Sequence, residues 1–237
     1  MAVSGTTTFT LTRDEILDSS ARVTGYLAAG EVLSAEDKTN RSQALNIMVK
    51  NWARKGLALW VTVTVEIPLV AGDYDYTIGP SGSDVTADRP LKILESSFVR
   101  DPDGNDISLR QLARSDYNIR SPKGQAGVPV DFYYDPGRDY GTLYLLNVPA
   151  TAGYTFHAET QRQFFDMVAG SDNFDFPAEW LLPLKWGLAA EMGLEDGVEL
   201  DKLDYIERKS QAHLEACFDF SVEEASTYFT VDTQGMR

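Results

Sequence analysis

Nucleophilic and zinc chemistry concentrate on histidine and cysteine, and the chain holds only His157, His213 and Cys217. A hydrolytic triad needs a histidine between a nucleophile and an orienting carboxylate, and a zinc site needs several His or Cys ligands converging. His157 stands in a strand-like stretch and His213 in a helix-like one, far apart in sequence. No HExxH, GxSxG or cysteine pair surrounds them. Both histidines, and Cys217 on an apolar helix face, read as structural residues. Asp101-Pro102-Asp103-Gly104-Asn105-Asp106 opens like a calcium loop, yet such a loop needs glycine at its sixth position and glutamate at its twelfth. Those positions hold Asp106 and Leu112, so a tight Asp-Gly turn is the better reading. Gly79-Pro80-Ser81-Gly82 lacks the Lys-Ser/Thr pair and following helix of a phosphate loop. Carboxylate pairs abound in so acidic a chain, and an acidic hydrolase working in a cleft stays open as an alternative. No catalytic, cofactor-binding or metal-ligating residue is assigned, and no cofactor is expected.

The 237 residues carry 36 Asp+Glu against 21 Lys+Arg, a formal charge of −15. Hydrophobic residues make up 43%, enough for a packed core and too many for wholesale disorder. The last stretch, 172–237, carries fifteen acidic and five basic side chains. Such a surface repels phosphate backbones, so sequence-specific nucleic-acid binding is not expected, whereas a wall past which DNA slides is compatible. A single cysteine allows no intrachain disulfide. The first residues lack the basic-then-apolar pattern of a signal peptide. No stretch approaches the ~20 apolar residues that span a bilayer, so no membrane partner is expected.

The fold class expected is α+β, with helices at both ends of a β region. Thr12 and Glu15 have capping-box spacing, and helical periodicity follows over 12–29. A second helix is expected over 35–55, where Leu45, Met48, Val49 and Trp52 form an apolar stripe flanked by Arg41, Lys50, Arg54 and Lys55. From residue 57 the period drops to two. Strands are expected at 59–67, 74–78, 91–99, 107–109, 131–134, 141–146 and 154–161, bounded by Gly, Pro and Asp/Asn clusters. About seven short strands suggest an antiparallel sandwich or barrel. Helical spacing returns after Pro177 with Trp180, Leu181, Leu184, Leu188 and Met192, where Pro183 implies a late start or a kink. A last helix is expected over 199–218. Trp60, Trp180 and Trp186 read as core aromatics. The economical arrangement is a discontinuous four-helix bundle (1–57 and 172–218) with a core of Leu45, Met48, Trp52, Trp180, Leu184 and Leu188. The β domain (58–171) is inserted into it, and an extended arm (219–237) has no core of its own.

Several segments, in order over roughly 35–195, resemble the head-to-tail adaptor, or packaged-DNA-stabilisation, proteins of short-tailed bacteriophages. They include Ala44-Leu45-Asn46 with Lys50, Trp52 and Gly56; Leu69 through Gly72 and Tyr76 to Gly79; and Arg89-Pro90. Further along come Asp116-Tyr117-Asn118, Gly127-Val128-Pro129 with Tyr133-Tyr134-Asp135-Pro136, and Phe176-Pro177-Ala178-Glu179-Trp180 leading into Gly187-Leu188-Ala189-Ala190. The third helix departs from the family's usual ending, with Glu191-Met192-Gly193-Leu194-Glu195-Asp196-Gly197 there instead. The resemblance implies a virion protein, commonly a ring of twelve copies under the portal protein, that seals packaged DNA and receives the downstream tail or nozzle protein. It requires no catalysis. DNA would pass its channel without sequence-specific contacts. A head-to-tail ring needs two different patches per subunit, and aromatics dominate interface hot spots. Phe218, Phe220, Tyr228 and Phe229 are therefore the expected anchors of the arm on a partner. A tail-associated module that binds carbohydrate or protein is the other reading the residues leave open.

Overall fold

The computed structural model describes residues 5, 9–52 and 61–220, except the side chain of Phe220. Helix α1 (Arg13–Thr24) begins where the Thr12 backbone N–H donates to Glu15 Oε2 at 2.8 Å and the Glu15 N–H donates to Thr12 Oγ1 at 3.4 Å. That reciprocal pair satisfies two donors a helix start leaves free. Gly25, at φ 86°, ends it in a conformation that glycine adopts without a Cβ penalty. Helix α2 (Ala35–Trp52) opens with Ser34 Oγ accepting the Asp37 N–H at 3.1 Å.

Among the described residues, ten strands and one short helix follow. They are β1 (Thr62–Pro68), β2 (Asp75–Gly79), β3 (Val85–Thr86), β4 (Lys92–Ile93), β5 (Phe98–Arg100), β6 (Asp106–Ser108), β7 (Arg110–Gln111), α3 (Arg114–Ile119), β8 (Asp131–Asp135), β9 (Gly141–Leu146) and β10 (Thr155–Gln161). One sheet runs β1-β10-β5-β6, with β4 also paired to β10, and the other runs β3-β2-β9-β8-β7. The two sheets contribute to one core, which includes Ile67, Ile78, Val99, Phe132, Leu143, Leu145 and Phe156. Phe132 and Phe156 meet edge to face across it, with centroids 5.4 Å apart.

Neither sheet closes on itself, so the barrel expectation gives way to two open sheets. The antiparallel expectation also needs correction, because β2–β3 and β7–β8 pair in parallel. Both exceptions are two-residue edge pairs too short to leave an alternating pattern. The single strand expected over 91–99 divides into β4 and β5. There Leu94 O accepts both the Ser97 N–H (3.2 Å) and the Ser97 hydroxyl (2.7 Å), which turns the chain between them.

Beyond the sheets, one 3-10 turn (Ala178–Trp180) leads into α4 (Leu181–Met192), and α5 (Leu200–Phe220) follows. Pro183 falls in the first turn of α4, where a backbone N–H has no helical partner to lose. The late start, rather than a kink, resolves its position. Helix α4 is apolar on nearly all sides and packs against α1, α2 and α5. A Cβ on Gly187 would lie 2.8 Å from Trp52 Cζ2 and 2.9 Å from Met48 Sδ, so glycine sets how closely α4 approaches α2. Leu45, Met48, Trp52, Trp180, Leu184 and Leu188 all belong to this helical core. Val61, Phe164, Met167, Phe174 and Phe176, from the segments joining the sheets to the helices, belong to it too.

Candidate interaction surfaces

The two histidines, Cys217 and Asp101 all have structural contacts. His157 lies on β10, nearly buried, with its ring stacked on Phe98 at 4.7 Å and Nδ1 3.7 Å from Glu66. His213, on α5, packs against Trp186. The Cys217 thiol donates to Glu179 O at 3.4 Å, and burial followed by the Glu179 charge pushes its pKa up. Asp101 Oδ1 accepts the N–H groups of Asp103 (2.9 Å) and Asn105 (2.8 Å), while Oδ2 accepts from the Asn105 amide (2.9 Å). The Asn105 side chain is the main reason its pKa is lowered, and the carboxylate is committed to a turn. Among the described residues no group of three His, Cys, Asp or Glu is placed to hold a metal ion. No described helix is long and apolar enough to cross a membrane.

Several of the motif residues fasten one segment to another. Asn46 donates from Nδ2 to Met167 O (3.3 Å) and accepts the Met167 N–H at Oδ1 (3.2 Å), reading both backbone groups as a strand would. It thereby ties α2 to the segment returning from the sheets. The Tyr76 hydroxyl accepts the Val70 N–H at 2.9 Å and closes the turn in which Gly72 has φ 88°. The Tyr134 hydroxyl donates to Pro90 O at 2.7 Å, and Gly141 leaves room for its ring, which a Cβ would strike. The returning segment is further held by Arg162, bidentate on Asp175 at 2.6 and 2.9 Å. It also carries an aromatic column, with Phe164 stacked on Phe176 at 4.6 Å, Phe176 against Trp180 at 5.6 Å, and Trp180 against Trp52 at 6.0 Å.

This column decides the role of Phe218. It sits on α5 rather than on a separate arm, and its ring meets Trp180 edge-on at 5.3 Å. It thus packs on the fold's own core, on the last turn of the helix expected over 199–218. Phe220 is the last described residue of α5. Tyr228 and Phe229, like Trp60, lie outside the described residues.

Three exposed regions have the composition of contact surfaces. The first lies where α3 covers the outer face of the second sheet. Tyr117 packs on Tyr133 and Tyr144, each at 5.6 Å, and Lys123 Nζ sits 4.5 Å over the Tyr117 ring. A cavity of about 460 Å³ opens beside them, lined also by Tyr74, Arg114 and Asp135. The Tyr117 hydroxyl is buried without a hydrogen-bond partner, and burial pushes its pKa up to about 12. Ile119 stands 82% exposed at the end of α3. The second is a groove of about 540 Å³ between α2, α4 and α5, lined by Ile47, Met48, Trp52 and Leu214. The third is the outer edge of β1, which no described strand pairs.

One device escaped sequence reading altogether. Arg41 is 2% exposed and is paired with Asp196, 4% exposed, in the connection from α4 to α5. Its guanidinium lies 5.1 Å over the Tyr26 ring. The pair fastens the α4–α5 connection to α2 at its centre. Arg41 is four residues before Leu45, on the apolar stripe itself, and that spacing was the available signal.

A helical core and a sheet core tied by Asn46–Met167 and Arg162–Asp175, with an exposed tyrosine cluster at α3, suit a structural connecting protein. The chain belongs to the SU10 adaptor protein family, whose model matches residues 11–226 and so spans the helices and both sheets. Membership makes it a structural adaptor of a phage virion. No curated protein matches it significantly.

Proposed function

We propose that this adaptor works as a ring in the virion neck, docked beneath the portal protein. There it seals the packaged DNA and offers a surface to the downstream tail or nozzle protein. The observation that carries the reading is the family match, which runs without a break through the helical and β parts. In this reading the helical domain (1–57 and 172–218) faces the portal, and the inserted β domain (58–171) faces the next tail component. The segment 219–237, with Phe220, Tyr228 and Phe229, reaches a partner. Its aromatic content supports that role, because truncating buried aromatics at interfaces typically costs several kcal/mol. The acidic surplus supports a bore lined in part by carboxylates, past which DNA slides without sequence-specific contacts. Lysines and arginines facing the bore of an assembled ring would contradict that last point.

Because α5 continues to Phe220, the test places its truncation there. A chain ending at Phe220 is expected to fold and to lose retention on immobilised portal rings. Retention equal to that of the full chain would contradict the role given to the segment.

A further inference from the structure

Edges distinguish the strands of this protein. β3 and β7, at the edges of the second sheet, have two residues each, and β6, at one edge of the first, has three. Short edges are a common protection against unwanted pairing. β1 is different: seven residues long, it lies at the other edge, and among the described residues it pairs with β10 alone. The Arg162 N–H donates to Val61 O at 2.9 Å, and the Leu69 N–H donates to Tyr154 O at 2.8 Å. In an antiparallel ladder, hydrogen-bonded positions recur every second residue. Residues 61, 63, 65, 67 and 69 therefore turn their backbone groups toward β10, and Thr62, Thr64 and Glu66 turn theirs outward. Three N–H and three C=O groups in a row form a template for an added strand, which Pro68 ends because it has no N–H.

The chain contains a segment suited to that template. Residues 226–232 read Ser-Thr-Tyr-Phe-Thr-Val-Asp, a run of β-branched and aromatic residues with no glycine or proline. The five residues 221–225 separate it from Phe220 and can span at most about 18 Å. We propose that residues 226–232 of one copy add as a strand to the outer edge of β1 in a neighbouring copy. The proposal rests on the ring reading above and names a contact within it. A donated strand and a receiving edge are two different patches on every subunit, which is what head-to-tail closure requires. Main-chain hydrogen bonds supply affinity, and the alternation of Thr227, Phe229 and Val231 against Tyr228 and Thr230 supplies register.

The test is hydrogen exchange at β1 in the dilute full-length chain, with a synthetic peptide of residues 221–237 added. The amides of Thr62, Thr64 and Glu66 should slow by about tenfold or more at saturating peptide, as newly bonded amides do. Those of Val63 and Val65, already directed at β10, should not change. A peptide carrying Phe229→Pro or Thr230→Pro should have no effect. Unaltered exchange would overturn the proposal, as would equal protection by the proline peptides. Protection already present in the dilute chain without peptide would overturn it too, by showing the edge filled from within one copy. Portal binding is measured on the same sample. A chain that binds the portal while its β1 amides stay unprotected contradicts the strand addition and leaves the adaptor reading intact.

Discussion

At the scale of single residues, the decisive interactions are polar groups placed where water is excluded. Arg41 and Asp196 neutralise each other in the helical core, and each leaves one buried atom (Arg41 Nη1, Asp196 Oδ2) without a hydrogen-bond partner. Removing one member leaves the other charge buried alone, a loss of about 3–5 kcal/mol. Arg41→Met should therefore lower unfolding free energy by that amount in urea titration. Arg41→Met combined with Asp196→Leu should recover most of it, since the unpaired charge is gone. Recovery of none would show that the pair itself, and not charge cancellation, is what the fold requires. Asp14 gives a second expectation. Burial raises its pKa, but Lys38 at 2.9 Å and Arg13 at 3.0 Å outweigh that and leave it lowered. A carboxylate held below its unfolded value of about 3.9 stabilises the fold above that pH, and the contribution disappears as pH falls through the folded value. Asp84 and Asp106 are shifted the same way, chiefly by Thr77 and Arg100. The melting temperature should hold steady from pH 7 to about 5 and drop below about 4, and Asp14→Asn should make the drop shallower.

At the scale of elements, close approach between helices is set by small residues. Gly187→Ala should cost about 1–3 kcal/mol in the same titration, because the added methyl meets the Trp52 ring and Met48 Sδ, which are fixed by the core around them. Unchanged stability would mean that α4 and α2 can separate freely. Periodicity made much of this level legible in the sequence. The capping box at Thr12, the α2 stripe and the alternation of β9 appear where the residues indicate them. What stayed hidden was short or non-local. α3 has six residues, fewer than a periodicity window resolves, and it is anchored by the packing of Tyr117 on Tyr133 and Tyr144. β3, β4 and β7 are two residues long and exist through their partners alone. The spacing of Arg41 from Leu45 signals its burial, but its partner Asp196 is 155 residues away, and no local pattern names it. The edge of β1 follows from sheet order, which strand-by-strand reading does not supply.

At the scale of the whole molecule, the helical core and the core shared by the sheets are joined through Val61 on one connection and Phe164 and Met167 on the other, with Arg162–Asp175 and Asn46–Met167 holding the second. The return connection, fastened at both points, lets load pass between the helices and the sheets, as the proposed function requires. That suits an adaptor, and it leaves oligomeric state as the property on which the proposed function turns. The most direct test is the mass of the full-length chain in solution, measured alone and then with portal rings from the same phage. The expected result is a monomer alone and a closed ring of copies on each portal. A chain that forms no complex with the portal, or that binds as scattered single copies without closing a ring, would contradict the account.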